Sequence, residues 1–377
     1  MLGIYIHIPF CVKKCGYCDF CSFAGQGGTR MSAYGEELCR RLMARARDCE
    51  GREIDTVYFG GGTPTLMSTE SFGQIFKTLY GHYRIREDCE ITVECNPATA
   101  DLQSLRALRE MGVNRLSIGL QSAHEEELRR LGRAHGVKDF ERTYEAARQA
   151  GFDNVSADLM YGLPEQTEGS FRQSLEYLCD LGPEHISAYG LKIEEGTAFY
   201  ANRESLRLPS EEEEYRMYAL CVSLLKRRGY EQYEISNFAR KGRRSRHNLR
   251  YWQGEEYLGF GVAAHSYFSG VRFGYSRDLS AFLRGEEELS EQTEISEEER
   301  DREFLILGLR LSQGIALEEF AQRFGRPLNE VYPVVKERIR QGFLREEGGR
   351  ISFTTKGFFV SNAILSELLE AVQEPKK

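Results

Sequence analysis

Ile4-Tyr5-Ile6-His7-Ile8-Pro9-Phe10-Cys11-Val12-Lys13-Lys14-Cys15-Gly16-Tyr17-Cys18-Asp19-Phe20-Cys21 runs from an apolar, β-branched segment straight into four cysteines within eleven residues. Cys11, Cys15 and Cys18 stand at Cys-x3-Cys-x2-Cys. At that spacing three thiolates can fold one loop around an iron–sulfur cluster, each holding a different iron, and leave one iron open. The competing arrangements fit less well. Structural zinc wants four closed ligands, usually as two separated pairs, and no second pair follows. Cys15, Cys18 and Cys21 also fit the start of a ferredoxin pattern, which needs a remote cysteine before proline, and the chain has no Cys-Pro. A redox pair would want a thioredoxin-like setting. A chance group of buried thiols accounts poorly for such crowding in one loop. The role of Cys21 stays open.

Outward from this loop, short β-rich runs alternate with polar, periodic stretches. The expected strands are Ile4–Ile8, Thr56–Phe59, Glu90–Glu94, Arg115–Leu120, Val155–Met160 and His185–Leu191. The expected helices between them are Ala33–Arg47, Ser68–Tyr80, Asp101–Met111, Lys138–Ala150 and Ser170–Leu181. Strands separated by helical patterns imply βαβ units on a parallel sheet, and six units make a partial or full β/α barrel. In such a fold functional residues gather where strands end. The first strand runs into the cysteines, the second into Gly60-Gly61-Gly62-Thr63-Pro64, the third into Glu94 and the fourth into Gln121, while the fifth contains Asp158. One pocket would collect them.

The second half is looser. Ser210 before four glutamates reads as the N-cap of a helix to Arg228. A β-like Tyr230–Ser236, a basic loop and an apolar, Gly-rich Tyr257–Phe268 follow. Glu286–Arg300 reads as a linker or helix start. Phe304–Leu311, Leu317–Phe324 and Leu328–Gln341 read as helices, and Phe343–Arg345 with Arg350–Thr354 as a hairpin around Gly348-Gly349. The expected organisation is a barrel core over 1–235, a connecting segment over 236–290, and a small helical, winged-helix-like domain over 291–377.

The formal charge of −8 argues against nucleic acid as the main partner, because phosphate binding needs a basic footprint. The local exception is Arg240, Lys241, Arg243, Arg244, Arg246 and Arg250. Nothing at the start reads as a signal peptide, and no apolar run is long enough to span a bilayer. A cytoplasmic protein is expected, with a peripheral contact to a membrane protein left open.

With Tyr17 before its last cysteine, Cys11-x3-Cys15-x2-Cys18 resembles the signature of the radical SAM superfamily. The resemblance implies a partial (β/α)6 barrel and a [4Fe-4S] cluster on the three thiolates. It also implies S-adenosylmethionine (SAM) on the open iron and a separate electron donor. Gly61, Gly62 and Thr63 match the family's Gly-Gly-Thr-Pro turn at the SAM amino group. Glu94, Gln121 and Asp158 match ribose and polar contacts of the oxygen-independent coproporphyrinogen III oxidase group. Arg133 matches that group's SAM-carboxylate arginine, and Tyr5 its pocket tyrosine. Two features depart from the oxidases: Phe20 stands where they have a cysteine, and no extension precedes the first strand. His247-Asn248-Leu249-Arg250-Tyr251-Trp252 is instead similar to the His-Asn-x-x-Tyr-Trp signature of heme chaperones of the HemW family. That likeness implies heme, with His247 as an iron ligand, Tyr251 and Trp252 against the porphyrin, and neighbouring arginines on the propionates. His265 is a second candidate ligand. The expectation is a radical SAM-type heme chaperone that passes heme to an acceptor protein, a membrane respiratory protein among the candidates. The alternative is oxidative decarboxylation of coproporphyrinogen III or another radical reaction on a tetrapyrrole. Whether SAM is cleaved stays open.

Overall fold

A computed structural model describes residues 1–286 and 288–370. Six parallel strands form its centre: β1 Leu2–Ile8, β2 Glu53–Gly61, β3 Arg84–Cys95, β4 Arg115–Gln121, β5 Val155–Tyr161 and β6 His185–Gly190. They pair in chain order. Helices Gly28–Arg45, Thr69–His82, Leu102–Glu110, Val137–Gln149 and Glu168–Leu181 connect them. The alternation along each strand explains the layering. Ile4, Ile6, Val57 and Phe59 are fully buried in the core, and Phe59 packs on Phe72 and Phe76 of the second helix. The intervening residues Tyr5, Thr56, Tyr58, Glu90, Glu94, Arg115 and Asp158 face the opposite, polar side.

The sheet does not close; it carries extra strands on both edges. Beyond β6 lie β7 Glu231–Gln232 and β8 Asn237–Ala239, so the strand expected over Tyr230–Ser236 shrinks to two residues. Beyond β1 lie β9 Tyr257–Phe260, β10 His265–Phe268, β11 Val271–Tyr275 and β12 Leu289–Glu294. β9 is parallel to β1 and the rest are antiparallel. The acidic segment expected as a linker or helix start supplies both β12 and the start of helix Glu297–Leu309.

Between β8 and β9 the basic loop passes below the N-terminal ends of the strands. Arg240 N–H donates to Glu184 O, just before β6, and Arg243 pairs with Asp153, just before β5. The chain then returns as a helix, Arg246–Trp252, along the polar face of the sheet. His247 Nδ1 lies 2.9 Å from Thr56 Oγ1. Gly3 leaves room for the Arg250 stem, which an added Cβ would meet at 2.6 Å.

At the C-terminal end, helices Leu317–Phe324, Leu328–Val331 and Val334–Arg340 precede the hairpin Leu344–Glu347 and Arg350–Phe353. Leu328–Gln341 is two helices because Pro333, lacking an N–H, begins the second one. Gly348 and Gly349 both take positive φ, as the tight turn requires. Helices Thr355–Phe359 and Ser361–Glu370 complete this region. Its core is not self-contained, since Tyr218 of helix Glu211–Arg227 is buried in it. Residues 371–377, assigned to this domain from the sequence, lie outside the described residues.

Candidate functional site

The cysteine loop leaves β1 and is tied at several points. Its flanks Phe10–Cys11 and Phe23–Ala24 pair in parallel. His7 Nε2 donates to Cys21 O (2.8 Å), while its Nδ1 accepts from Tyr5 O–H (3.0 Å). Gly16 N–H donates to Leu131 O (3.0 Å) and Phe199 N–H donates to Gly16 O (2.8 Å), which fastens the loop to the end of helix Glu125–Leu131. A Cβ on Gly16 would meet the Phe199 ring at 2.5 Å. The cysteines are free thiols, and burial raises the pKa of Cys18.

Donors point at two of the sulfurs. Thr63 Oγ1 lies 3.7 Å from Cys11 Sγ, and Arg133 donates to Cys15 Sγ (3.6 Å). Asn96 joins the two: its Oδ1 accepts from Arg133 (2.8 Å) and its Nδ2 donates to Thr63 Oγ1 (2.5 Å). Such donors favour thiolates over thiols. Among the described residues no group of three or more His, Cys, Asp or Glu side chains closes around a single metal ion. Three partly buried thiols on one cavity wall, two of them facing donors, fit a cluster.

That cavity has a volume of about 840 Å³. Cys11, Cys15, Cys18, Tyr17, Gly61, Gly62, Glu94, Gln121, Arg133 and Asp158 line it, so the strand-end residues do converge. Glu94 accepts from Tyr58 O–H (2.8 Å) and Gly61 N–H (3.0 Å), and burial pushes its carboxyl up to about 7 despite the Tyr58 bond. Asp158 accepts from Ser117 Oγ at 3.3 Å, and burial raises it too. Gln121 adopts φ +70, a left-handed conformation that is rare outside glycine and marks a strained strand end. A Cβ on Gly61 would strike the His7 ring at 2.4 Å, and one on Gly62 would strike Phe10 O at 2.7 Å. The two glycines thus let β2 press against the cysteine loop. Thr63 is buried behind the wall. Tyr5 does not reach the cavity either; its ring lies beside those of Tyr58 and His247, centroids 6.2 and 6.4 Å away, and these two stack on each other at 5.2 Å.

The His247 motif divides. Tyr251 and Trp252 line the cavity, with Asn248 beside them. His247 does not: it is 1% exposed, with Nδ1 bonded to Thr56 and Nε2 to Tyr251 O–H (2.8 Å). Burial, with Arg250 and Arg115 nearby, lowers its pKa to about 3. The expected iron ligand is therefore a neutral imidazole sealed under the cavity floor, with no free nitrogen. The expected propionate arginines are also elsewhere. Arg243, Arg244 and Arg246 pair with Asp153, Glu231 and Asp55, Arg250 is buried against Asp55 and Glu255, and Arg240 lies over Tyr230. His265 is half exposed and pairs with Glu291, away from the cavity. Asn96, Tyr58 and Arg310 escaped the sequence reading; Tyr58 alone had a signal, two residues after Thr56 on the inner face.

A model of the radical SAM superfamily matches residues 5–178, and one of the HemN C-terminal domain matches residues 295–360. The chain is 35% identical over 377 residues to heme chaperone HemW of Bacillus subtilis (strain 168), covering 98% of this chain and 99% of that protein. It is 34% identical over 373 residues to heme chaperone HemW of Escherichia coli (strain K12), covering 98% of each. Among solved structures, coproporphyrinogen III oxidase (HemN) from Escherichia coli is similar with a TM-score of 0.85 at 24% identity, covering 97% of this chain and 89% of that one. That likeness bears on the fold alone. Identity over nearly the full length of both chains decides the branch: the chain belongs to the HemW heme chaperone family of the radical SAM superfamily.

Proposed function

We infer that this protein is a heme chaperone that holds a [4Fe-4S] cluster on Cys11, Cys15 and Cys18, takes SAM beside it, and binds heme for delivery to an acceptor protein. The observation that carries the reading is one continuous cavity from the three cysteines, past Glu94, Gln121, Arg133 and Asp158, to Tyr251 and Trp252. Its volume lies toward the upper part of the range of about 300–1,000 Å³ usual for small-molecule sites.

A cluster with SAM supplies one-electron chemistry or a stabilised loop. The chain's own groups do the holding. Arg133 offers a cation for the SAM carboxylate, and Glu94 and Asp158 offer acceptors for ribose hydroxyls and the amino group. Tyr17 packs toward Phe199, ring centroids 6.4 Å apart, and closes one side. Heme would be held on the Trp252 side of the cavity, while His247 keeps both ring nitrogens on Thr56 and Tyr251. Among the described residues no helix is long and apolar enough to cross a membrane. The proposed setting is the cytoplasm, with a separate electron donor and a heme-requiring acceptor, a membrane respiratory protein among the candidates.

The test sets heme against coproporphyrinogen III on the anaerobically reconstituted protein. The reading expects saturable, stoichiometric heme uptake by Soret absorption and no protoporphyrinogen. Protoporphyrinogen formed with SAM consumed in step, without heme uptake, would establish the decarboxylase instead.

A further inference from the structure

Past Trp252 the cavity leaves the inner face of the sheet and runs between helix Glu211–Arg227 and the C-terminal region. It reaches exposed side chains at Glu211 and Asn362. Arg310, at the end of helix Glu297–Leu309, lines it there. Its guanidinium lies 5.5 Å from the centroid of the Trp252 ring, and one nitrogen donates to Asn362 Oδ1 (3.0 Å). Among the described residues no carboxylate pairs with it directly.

The other cations of the cavity differ. Arg133 is engaged by Cys15, Asn96 and Gly119, and Arg115 is 1% exposed. Lys13, Lys14 and Lys192 are exposed. Arg310 alone among the lining cations lies over an aromatic face. Near it, Glu234 is 1% exposed, its Oε1 has no hydrogen-bond partner, and burial raises its carboxyl to about 7. Phe358 and Phe359 supply an apolar wall. A half-buried guanidinium with unspent donors, beside an indole face, suits a flat apolar ring that carries a carboxylate.

We propose that Arg310 binds one heme propionate at this end of the cavity, beside the Trp252 indole on which the heme reading already packs the macrocycle. This rests on the heme reading above and gives the propionates a partner that the basic loop does not provide. The macrocycle would then be held between the barrel and the C-terminal region, within the same cavity as the cluster loop.

The experiment titrates the reconstituted full-length protein with heme and with heme dimethyl ester, whose propionates are neutral. It compares the wild-type chain with Arg310→Gln and Arg310→Lys. The expected result is that Arg310→Gln weakens heme about tenfold and leaves the diester unchanged, the size of one lost charge-assisted hydrogen bond. The wild-type chain should also prefer heme over the diester by a similar factor, and Arg310→Lys should recover part of the loss. Equal effects on heme and diester, or no effect of Arg310→Gln, would overturn the proposal while leaving heme binding intact. No uptake of heme by the wild-type chain would overturn the functional reading and this site with it.

Discussion

Asn96 holds Arg133 and Thr63 in register, and through them it reaches both Cys15 and Cys11. Donors to cluster sulfurs raise the reduction potential. In reconstituted protein, Asn96→Ala should therefore shift the cluster potential tens of millivolts more negative without loss of iron; an unchanged potential in a redox titration would show that the network does not act on the sulfurs. His247 makes a different prediction. Its folded pKa of about 3 lies below the ordinary 6.5, so the unfolded chain takes up a proton between those values that the folded chain does not. Stability should fall as pH drops from 6.5 toward 3, and His247 should contribute a slope of up to about 1.4 kcal/mol per pH unit. Urea unfolding across that window should show a flatter profile for His247→Gln. That the cysteines, Glu94, Gln121 and Asp158 share one cavity was legible because spacing and strand ends decide where they point. The orientation of His247 was not, although His247 and Tyr251 stand at i and i+4 and so share a helix face.

Helix Arg246–Trp252 is short, and its seating depends on groups outside it. Glu90 of β3 accepts from the Arg246 and His247 N–H groups, both at 3.0 Å, and Ser245 caps Asn248 (3.3 Å). A carboxylate at a helix N-terminus satisfies orphan donors and complements the helix dipole. Glu90→Ala should cost about 1–3 kcal/mol in urea unfolding and disturb Tyr251 and Trp252 at the cavity while sparing the cysteine loop. A stability loss below about 0.5 kcal/mol would contradict this seating. The basic stretch before the helix misled for a related reason. Of its partners, Asp153, Asp55 and Asp88 are far off in sequence, so local charge density could not reveal that Arg243 and Arg246 were paired. Likewise Leu289–Glu294 is exposed at every position and has no apolar alternation to announce a strand; pairing with β11 alone makes it one.

Across the whole molecule, the barrel and the C-terminal region share buried surface. Tyr218 sits in the C-terminal core with Tyr161, Val222 and Ile235 packed against it, Glu234 bridges to Leu311, and Ser312 N–H donates to Tyr233 O (3.0 Å). Truncation after residue 294 would uncover that surface, so the shortened chain should lose cooperativity and bind hydrophobic dyes; a sharp transition at the full-length Tm would contradict the shared core. The parallel centre of the sheet followed from alternating strand and helix patterns, because those are local. The open sheet, the inner helix and the shared core follow from contacts between distant segments. The central claim is that heme enters the cavity at Trp252, the chain's single tryptophan. Heme titration of the reconstituted protein beside Trp252→Ala and His247→Gln tests it most directly. The account predicts saturable binding that Trp252→Ala weakens by about tenfold or more, with the Soret band kept in His247→Gln. It would be contradicted by a Soret band lost in His247→Gln with fold and cluster intact, or by heme affinity indifferent to Trp252→Ala.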